Sequence, residues 1–403
     1  MTNKLDDFTK AELQNAKNKM VESIKILLYK NDKKIFDIIN FEDDTIYKEP
    51  ILYAYFSNKN QKMTEMNQIV FSFHMDSEKD LELKTDEFGK IYLPNFGWII
   101  TTLANEQVIF SKKKNELFFE SEKTPFSFEG IQYIDNTKIE VLKYPIPLLK
   151  QCYFNVDGKE IQVEIEKITQ RHLKNLTKAY NLIRTCIPSQ FLLIESYSPK
   201  CVIFNVDTYQ RNSFATKQAH GIGFYNAYQG DYDEVFFVDD IAHQTGHVIF
   251  NTLLFEPSDY FKIDKSTIME TITMPNGDFI EKRDIYVIFH ALYTYYTSFI
   301  CLDTCIENNV WEGKQRHEAM GRIAFYINKC YTDLLLVDSP INSENKANEY
   351  FTENGLLIYR ELKAKWKEMY KKWFEITKHF DMSNQPYNFT YSKFLELNPL
   401  LQR

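Results

Sequence analysis

The residues with the clearest chemical potential are His243 and His247, in the run His243-Gln244-Thr245-Gly246-His247. Two histidines four residues apart on a helix lie about 40° apart around the axis, one turn up, on the same face. That is how an HExxH helix offers two imidazole nitrogens to one metal ion. In this chain Gln244 stands where a metallopeptidase carries glutamate. A peptidase uses that carboxylate as the general base toward metal-bound water, and an amide cannot take up the proton. The pair of ligands is kept and the hydrolytic base is gone, which points to metal chemistry other than peptide hydrolysis.

Two histidines need a third protein ligand, with positions left open for substrate or oxygen. His290 is the leading candidate, within the apolar helix Arg283 to Tyr293, where a buried imidazole needs polar compensation. Arg283 precedes it by seven residues, two helical turns, so one continuous helix would set both on one face with Tyr286 between them. An arginine there can hold a carboxylate bidentately; its plainer role is a salt bridge, with Asp240 or Glu256 as partner. Glu270 competes as third ligand, 23 residues after His247, but the β-branched run Ser266 to Thr273 around it does not read as helix. Of the remaining histidines (His74, His172, His220, His317 and His379), His220 alone opens a glycine-bearing loop that can line a site.

The elements that must carry these residues follow from patterning. A stripe of Leu13, Ala16, Met20, Ile24 and Leu27 marks a helix over about 7–30. From about 50 to 165 the texture is short strand-like runs: 91–93, 98–100, 108–110, 117–119, 126–134, 139–142 and 161–165. A helix over 167–186 follows, then strands near 191–195 and 201–206, and a loop from Tyr209 to Asp233. A strand over 234–238 is expected to feed the two-histidine helix, capped by Asp239 or Asp240. From about 281 the chain reads as mostly helical, with a core stripe of Leu362, Trp366, Met369, Trp373 and Ile376 and a lysine-rich solvated face that includes Lys363. The expected fold is α+β: a mainly β N-terminal region (1–165, for architecture or peptide binding), a zincin-like α+β metal core (166–335) and a helical C-terminal region (336–403) packed on the core.

Composition sets the class. The chain has 403 residues, is 44% hydrophobic and 15% aromatic, and therefore folds rather than stays disordered. A net charge of -8 argues against a nucleic-acid partner, which would want clustered Lys and Arg. Six cysteines without a Cys-x-x-Cys pair fit reduced thiols in a cytoplasmic protein, Cys301 and Cys305 as core packing. The first residues hold no apolar signal core. Ile285 to Leu302 lacks Asp, Glu, Lys and Arg, yet its histidine, tyrosines and hydroxyls read as a buried central helix, so no membrane partner is expected.

The run Phe237 to His247, with Arg283 and His290 downstream, resembles the HExxH-motif peptide-modifying proteins of ribosomally synthesised peptide natural-product pathways. The resemblance covers about residues 200–300. It implies His243, His247 and His290 as iron(II) ligands, Arg283 as an anchor for the co-substrate 2-oxoglutarate with Tyr286 beside it, and hydroxylation of a side-chain β-carbon in a precursor peptide. The family pattern has Glu at the position of Gln244, so this residue either supports the ligands by hydrogen bonding or puts proton transfer in doubt. Three neutral histidines keep the site cationic, which suits a dianionic co-substrate, and abstraction of a hydrogen atom needs no protein base. Two other classes remain open: a zinc hydrolase with Asp239, Asp240 or Glu270 as base, and a non-catalytic metal-containing scaffold that binds peptide.

Overall fold

The protein is described by a computed structural model covering residues 2–73, 81–113, 116–119, 125–155, 157–273, 280–338 and 346–400. It is mixed α/β with a helical C-terminus. In chain order the first part holds helices α1 (Thr2–Asp32), α2 (Asp44–Tyr47), α3 (Pro50–Ser57) and α4 (Met63–Val70). Strands β1 (Leu81–Lys84), β2 (Lys90–Leu93), β3 (Gly97–Thr101), β4 (Gln107–Lys113), β5 (Glu116–Phe119), β6 (Phe126–Gly130) and β7 (Glu140–Val141) come next. Helices α5 (Glu166–Cys186) and α6 (Pro188–Tyr197) lead to β8 (Lys200–Phe204), β9 (Ile222–Asn226) and helix α7 (Glu234–Leu253). The hairpin β10 (Ile268–Thr273) and β11 (Ile280–Asp284) precedes α8 (Ile285–Glu307), α9 (Gly313–Val337), α10 (Ala347–Tyr350), α11 (Glu353–Thr377) and α12 (Tyr391–Leu397).

These elements form two compact units that interleave along the chain, with boundaries unlike a division at 165 and 335. One comprises Lys17–Leu173 and Glu195–Gly230, the other Met1–Ala16, Lys174–Ile194 and Asp231–Arg403. The first unit is built around three small sheets. β7, β8 and β9 are parallel in that order, and β8 and β9 are buried along their whole length. Burial on both faces is why these strands read as continuous apolar runs rather than alternating ones. The orders β1-β4-β5 and β2-β3-β6 are antiparallel, with the pairs β1–β4 and β3–β6 joining strands that are not consecutive in the chain. The strands of this region begin at Leu81: 50–57 and 63–70 are helices, Pro50 opening the first at a position where its missing N–H costs nothing. Residues 161–165 form only an isolated bridge, between Glu164 and Asn205, and the loop expected over 209–233 contains β9.

Among the described residues the second unit is helical apart from the β10–β11 hairpin. α8 packs against α7, α9 and α11. Trp366 Nε1 donates to the Ile327 carbonyl at 3.0 Å and Trp373 Nε1 to Asp303 at 2.8 Å, so the stripe of α11 is pinned as well as packed. Two members of expected stripes face outward. Leu27 is exposed while Leu28 is buried, and Ile376 is exposed at the frayed end of α11. The α1 stripe steps by four from Ile24, because a period of 3.6 drifts off any fixed spacing. Lys363, expected on the solvated face, is buried beside Asp338 at 3.8 Å. The segment 191–195 is helix, within α6, not strand.

α8 is long and apolar enough to cross a membrane by length and composition, but 72% of its apolar window is buried inside the protein. Cys301 and Cys305 are among its buried residues.

Candidate metal centre

The two-histidine helix starts earlier than its sequence suggests. Residues 234–238 are the first turns of α7, and the cap is Asp233, whose carboxylate accepts from Val235 N at 2.9 Å. Asp239 and Asp240, expected as caps, lie inside the helix. The cause is burial: 15 of the 20 residues of α7 are buried. A helix apolar on nearly every side loses its 3.6-residue pattern and reads as a buried strand.

His243 and His247 sit one turn apart, ring centroids 5.1 Å. His290 comes from α8 and lies beside His247, centroids 5.7 Å and planes 23° apart. Gly246 makes this approach possible: a Cβ there would stand 2.6 Å from Thr297 Oγ1 of α8. Thr297 Oγ1 instead donates to the Ala242 carbonyl at 2.9 Å. Thr297 is two turns beyond His290, so the contact that brings the helices together also sets the histidine spacing. Phe250 and Tyr286 wall His290, with ring centroids 4.9 and 4.5 Å away, and Tyr286 Oη donates to Asn251 Oδ1 at 3.0 Å.

His243 and His247 are each half-buried, and the protein packed around both rings desolvates them. That desolvation disfavours the imidazolium and lowers both pKa values to about 3, with Lys329 adding repulsion at His243 and His243 at His247. Both rings are therefore neutral near pH 7, the state that binds metal. His243 Nδ1 is buried with no hydrogen-bond partner among the described residues.

The donor identities suit a divalent ion, and the spacing suits it for one of the two neighbouring pairs. Two imidazoles on one metal at about 2.1 Å, at angles of 90–110°, have ring centroids roughly 4.5–5.3 Å apart. The His243–His247 pair matches this range, and the His247–His290 pair is wider by about half an ångström. Among the described residues no group of three His, Cys, Asp or Glu side chains is already arranged to hold an ion. Convergence of all three donors thus requires the rings to turn and α7 and α8 to close slightly.

Arg283 is not on the His290 helix. It is the penultimate residue of β11, directly opposite Glu270 of β10, and Asp284 caps α8 after it. The two-turn relation to His290 fails because a strand, not a helix, carries the arginine. Its guanidinium is committed: Nη1 and Nη2 each donate to Asp333 of α9 at 2.8 Å, and Nη1 also to Glu270 at 2.9 Å. Burial works against the charge, yet the Asp333 bonds override it and raise the pKa of the arginine. The salt-bridge partners are thus Asp333 and Glu270, not Asp240 or Glu256. Glu270 is neutralised in the same cluster, in a strand as its β-branched neighbours suggest.

Gln244 is buried and donates from Nε2 to Asp240 Oδ1 at 3.1 Å, and its own Oε1 has no partner among the described residues. His220 belongs to the other unit, next to Tyr53. His74 lies outside the described residues.

Asn251, Tyr295, Arg322, Tyr326 and Lys329 are site residues that the sequence did not single out. Asp239, His243, His247 and Asn251 are spaced by four along α7, so one face carries a carboxylate, two imidazoles and an amide. That signal was present in the spacing. Asp239 Oδ2 accepts from Arg322 Nη1 at 2.7 Å and Tyr326 Oη at 3.0 Å, and Arg322 is held by Glu318. Tyr326 stacks near His243 at 6.0 Å, and Tyr295, 6.3 Å from His243, donates to Asp333 at 3.2 Å. Burial keeps both phenols protonated, as donors. Lys329, close enough for its charge to act on His243, bonds the Tyr387 carbonyl and lies 3.8 Å from that ring's centroid. Desolvation first, and Arg283 further, bring its pKa down to about 8 against the pull of Asp333. Arg322, Tyr326 and Lys329 come from α9, some eighty positions beyond His243 and His247, and no local pattern announces them.

No protein-family model matches the chain, and no curated protein shows significant similarity to it.

Proposed function

We propose that the second unit is a metal-dependent oxygenase: an iron(II)/2-oxoglutarate hydroxylase acting on a side-chain β-carbon of a ribosomally made precursor peptide. The observation that carries this reading is the neutral pair His243 and His247 with His290 beside it and glutamine rather than glutamate at 244. His243 and His247 from α7 and His290 from α8 would hold the iron. The zincin-like character resides in α7 with its paired histidines; helices α8 and α9 supply the rest of the surroundings. Bound iron with the keto-acid supplies oxidising power toward a C–H bond, chemistry that none of these side chains provides.

The chain's own residues do the positioning. Tyr286 and Phe250 fix the His290 ring, and the Tyr286 bond to Asn251 ties α8 to the histidine face of α7. Tyr295 and Tyr326 flank His243. Gln244 can steer Asp240 through its amide but moves no proton. With both Nη groups of Arg283 bonded to Asp333, we assign the distal carboxylate of 2-oxoglutarate to Lys329, whose charge acts on His243. The peptide is the partner; the net charge of -8 speaks against nucleic acid and the burial of α8 against a membrane, in keeping with a cytoplasmic enzyme.

A zinc hydrolase is the second reading, favoured by the one bond that sets Asp240 beside Gln244, next to where a peptidase keeps its base. Of the other candidate bases, Asp239 is paired with Arg322 and Glu270 with Arg283. The test is anaerobic iron loading followed by 2-oxoglutarate, oxygen and a precursor peptide encoded next to the gene. Succinate release coupled to gain of one oxygen atom by the peptide is expected. Zinc-dependent cleavage of the peptide without succinate would transfer the assignment to the hydrolase.

A further inference from the structure

Asp239 and His243 stand one turn apart on α7, and each carries a buried atom left over by the bonds around it. Asp239 is only 2% exposed. Its Oδ2 takes both donors that reach the carboxylate, Arg322 Nη1 at 2.7 Å and Tyr326 Oη at 3.0 Å. Its Oδ1 is buried with no partner among the described residues, and so is His243 Nδ1. A carboxylate oxygen can only accept, whereas a neutral imidazole carries one N–H that can sit on either ring nitrogen. Leaving either atom unmet in the interior is costly, and a single bond from Nδ1–H to Oδ1 would satisfy both.

The helix brings the two groups together. Residues four apart are surface neighbours, and side chains lean toward the helix N-terminus, so the ring at 243 covers the turn that holds 239. The carboxylate is the fixed member of the pair. Arg322 grips its Oδ2 and is itself held by Glu318, which accepts from Nη2 at 2.7 Å and Nε at 3.1 Å. Tyr326 spans both groups, with its hydroxyl on Asp239 and its ring 23° from parallel to that of His243. The imidazole is therefore the member that turns, as convergence of the three histidines also requires. A role as counter-ion to Arg322 does not account for this arrangement, because one oxygen serves both donors and the second is left over.

We propose that Asp239 is a positioning residue of the metal centre: its Oδ1 accepts the Nδ1 proton of His243 and fixes the tautomer that leaves the Nε2 lone pair for the ion. The inference rests on the reading of His243 as a ligand. A carboxylate behind a ligand imidazole sets the orientation of the ring and raises its basicity. Arg322, Glu318 and Tyr326 set the carboxylate in turn, which gives the α9 residues around His243 a task beyond packing.

The test uses the full chain, isotope-labelled at histidine nitrogen and free of metal. NMR shows which ring nitrogen carries the proton, and His243→Gln identifies the signals of His243. The unaltered protein should hold the proton on Nδ1. In Asp239→Asn the amide oxygen stays on Arg322 and Tyr326, so the NH₂ group meets Nδ1 and drives the proton to Nε2. Zinc(II) affinity in calorimetry should then fall about 10- to 100-fold. A role in folding alone would lower stability in urea and leave both the tautomer and zinc affinity unchanged. The proton found on Nε2 of His243 in the unaltered protein overturns the proposal, and this arm needs no variant that might fail to fold. Unchanged zinc affinity in Asp239→Asn overturns it as well. An unaltered protein that is protonated at Nδ1 yet binds no zinc overturns the metal reading itself, and the positioning role with it.

Discussion

Gly246 should be among the residues least tolerant of a single added methyl group. In Gly246→Ala the new Cβ would lie 2.6 Å from Thr297 Oγ1. An ordinary carbon–oxygen contact is about 3.3 Å, so something must move by about 0.7 Å. Thr297 cannot turn away cheaply, since its hydroxyl bonds the Ala242 carbonyl at 2.9 Å and is itself buried. Overpacking of this kind costs about 1–3 kcal/mol, and loss of the hydroxyl bond about 1 more. Alanine returns about 1 kcal/mol through its better helix propensity. The net expectation is destabilisation of about 1–3 kcal/mol in urea unfolding. If α7 and α8 part to relieve the clash, His290 retreats from His247 and metal affinity falls. Thr297→Ala removes the offending oxygen, so the double variant should recover most of the lost stability, a coupling that a double-mutant cycle reads directly. Gly246→Ala more stable than the parent by the full propensity gain, with unchanged metal affinity, would refute the reasoning.

Arg283→Ala should cost about 3–5 kcal/mol in unfolding experiments, because it strands the buried Asp333 carboxylate, and should leave 2-oxoglutarate affinity nearly unchanged. Lys329→Gln should do the reverse, weakening 2-oxoglutarate binding to the metal-loaded protein about tenfold in calorimetry with little change in stability. The metal-free protein should be acid-sensitive in a defined window. With folded-state values near 3 for His243 and His247 against an ordinary 6.5, the unfolded chain binds more protons between those limits. The stability these neutral rings contribute is complete above about pH 6.5 and is lost as pH falls toward 3. The loss is on the order of several kcal/mol, and stability flat from pH 7 to 4 would contradict it.

The sequence made some parts of this molecule legible and hid others for identifiable reasons. The i,i+4 histidines are a local pattern on one helix, so their shared face could be read directly, and the buried character of α8 followed from its hydroxyls and histidine. The start of α7 was misread because a helix buried on most sides shows no amphipathic period. Arg283 was misplaced by one element boundary: a hairpin strand ends at Asp284, and the helical arithmetic that linked Arg283 to His290 has no meaning across it. Its partner Asp333 lies 50 residues on, and Arg322, Tyr326 and Lys329 come from the same distant helix. Such pairings are set by the packing of α7, α8 and α9, which no single stretch of sequence encodes. The face Asp239–His243–His247–Asn251 could have been read in full from spacing alone.

The central claim is that His243, His247 and His290 hold one ion, and X-ray absorption spectroscopy of the protein loaded anaerobically with iron(II) tests it most directly. The account predicts three imidazole nitrogens in the metal shell at about 2.0–2.2 Å, reduced by one in His290→Ala. A shell with two or fewer imidazoles, or one unaltered by His290→Ala, would contradict it.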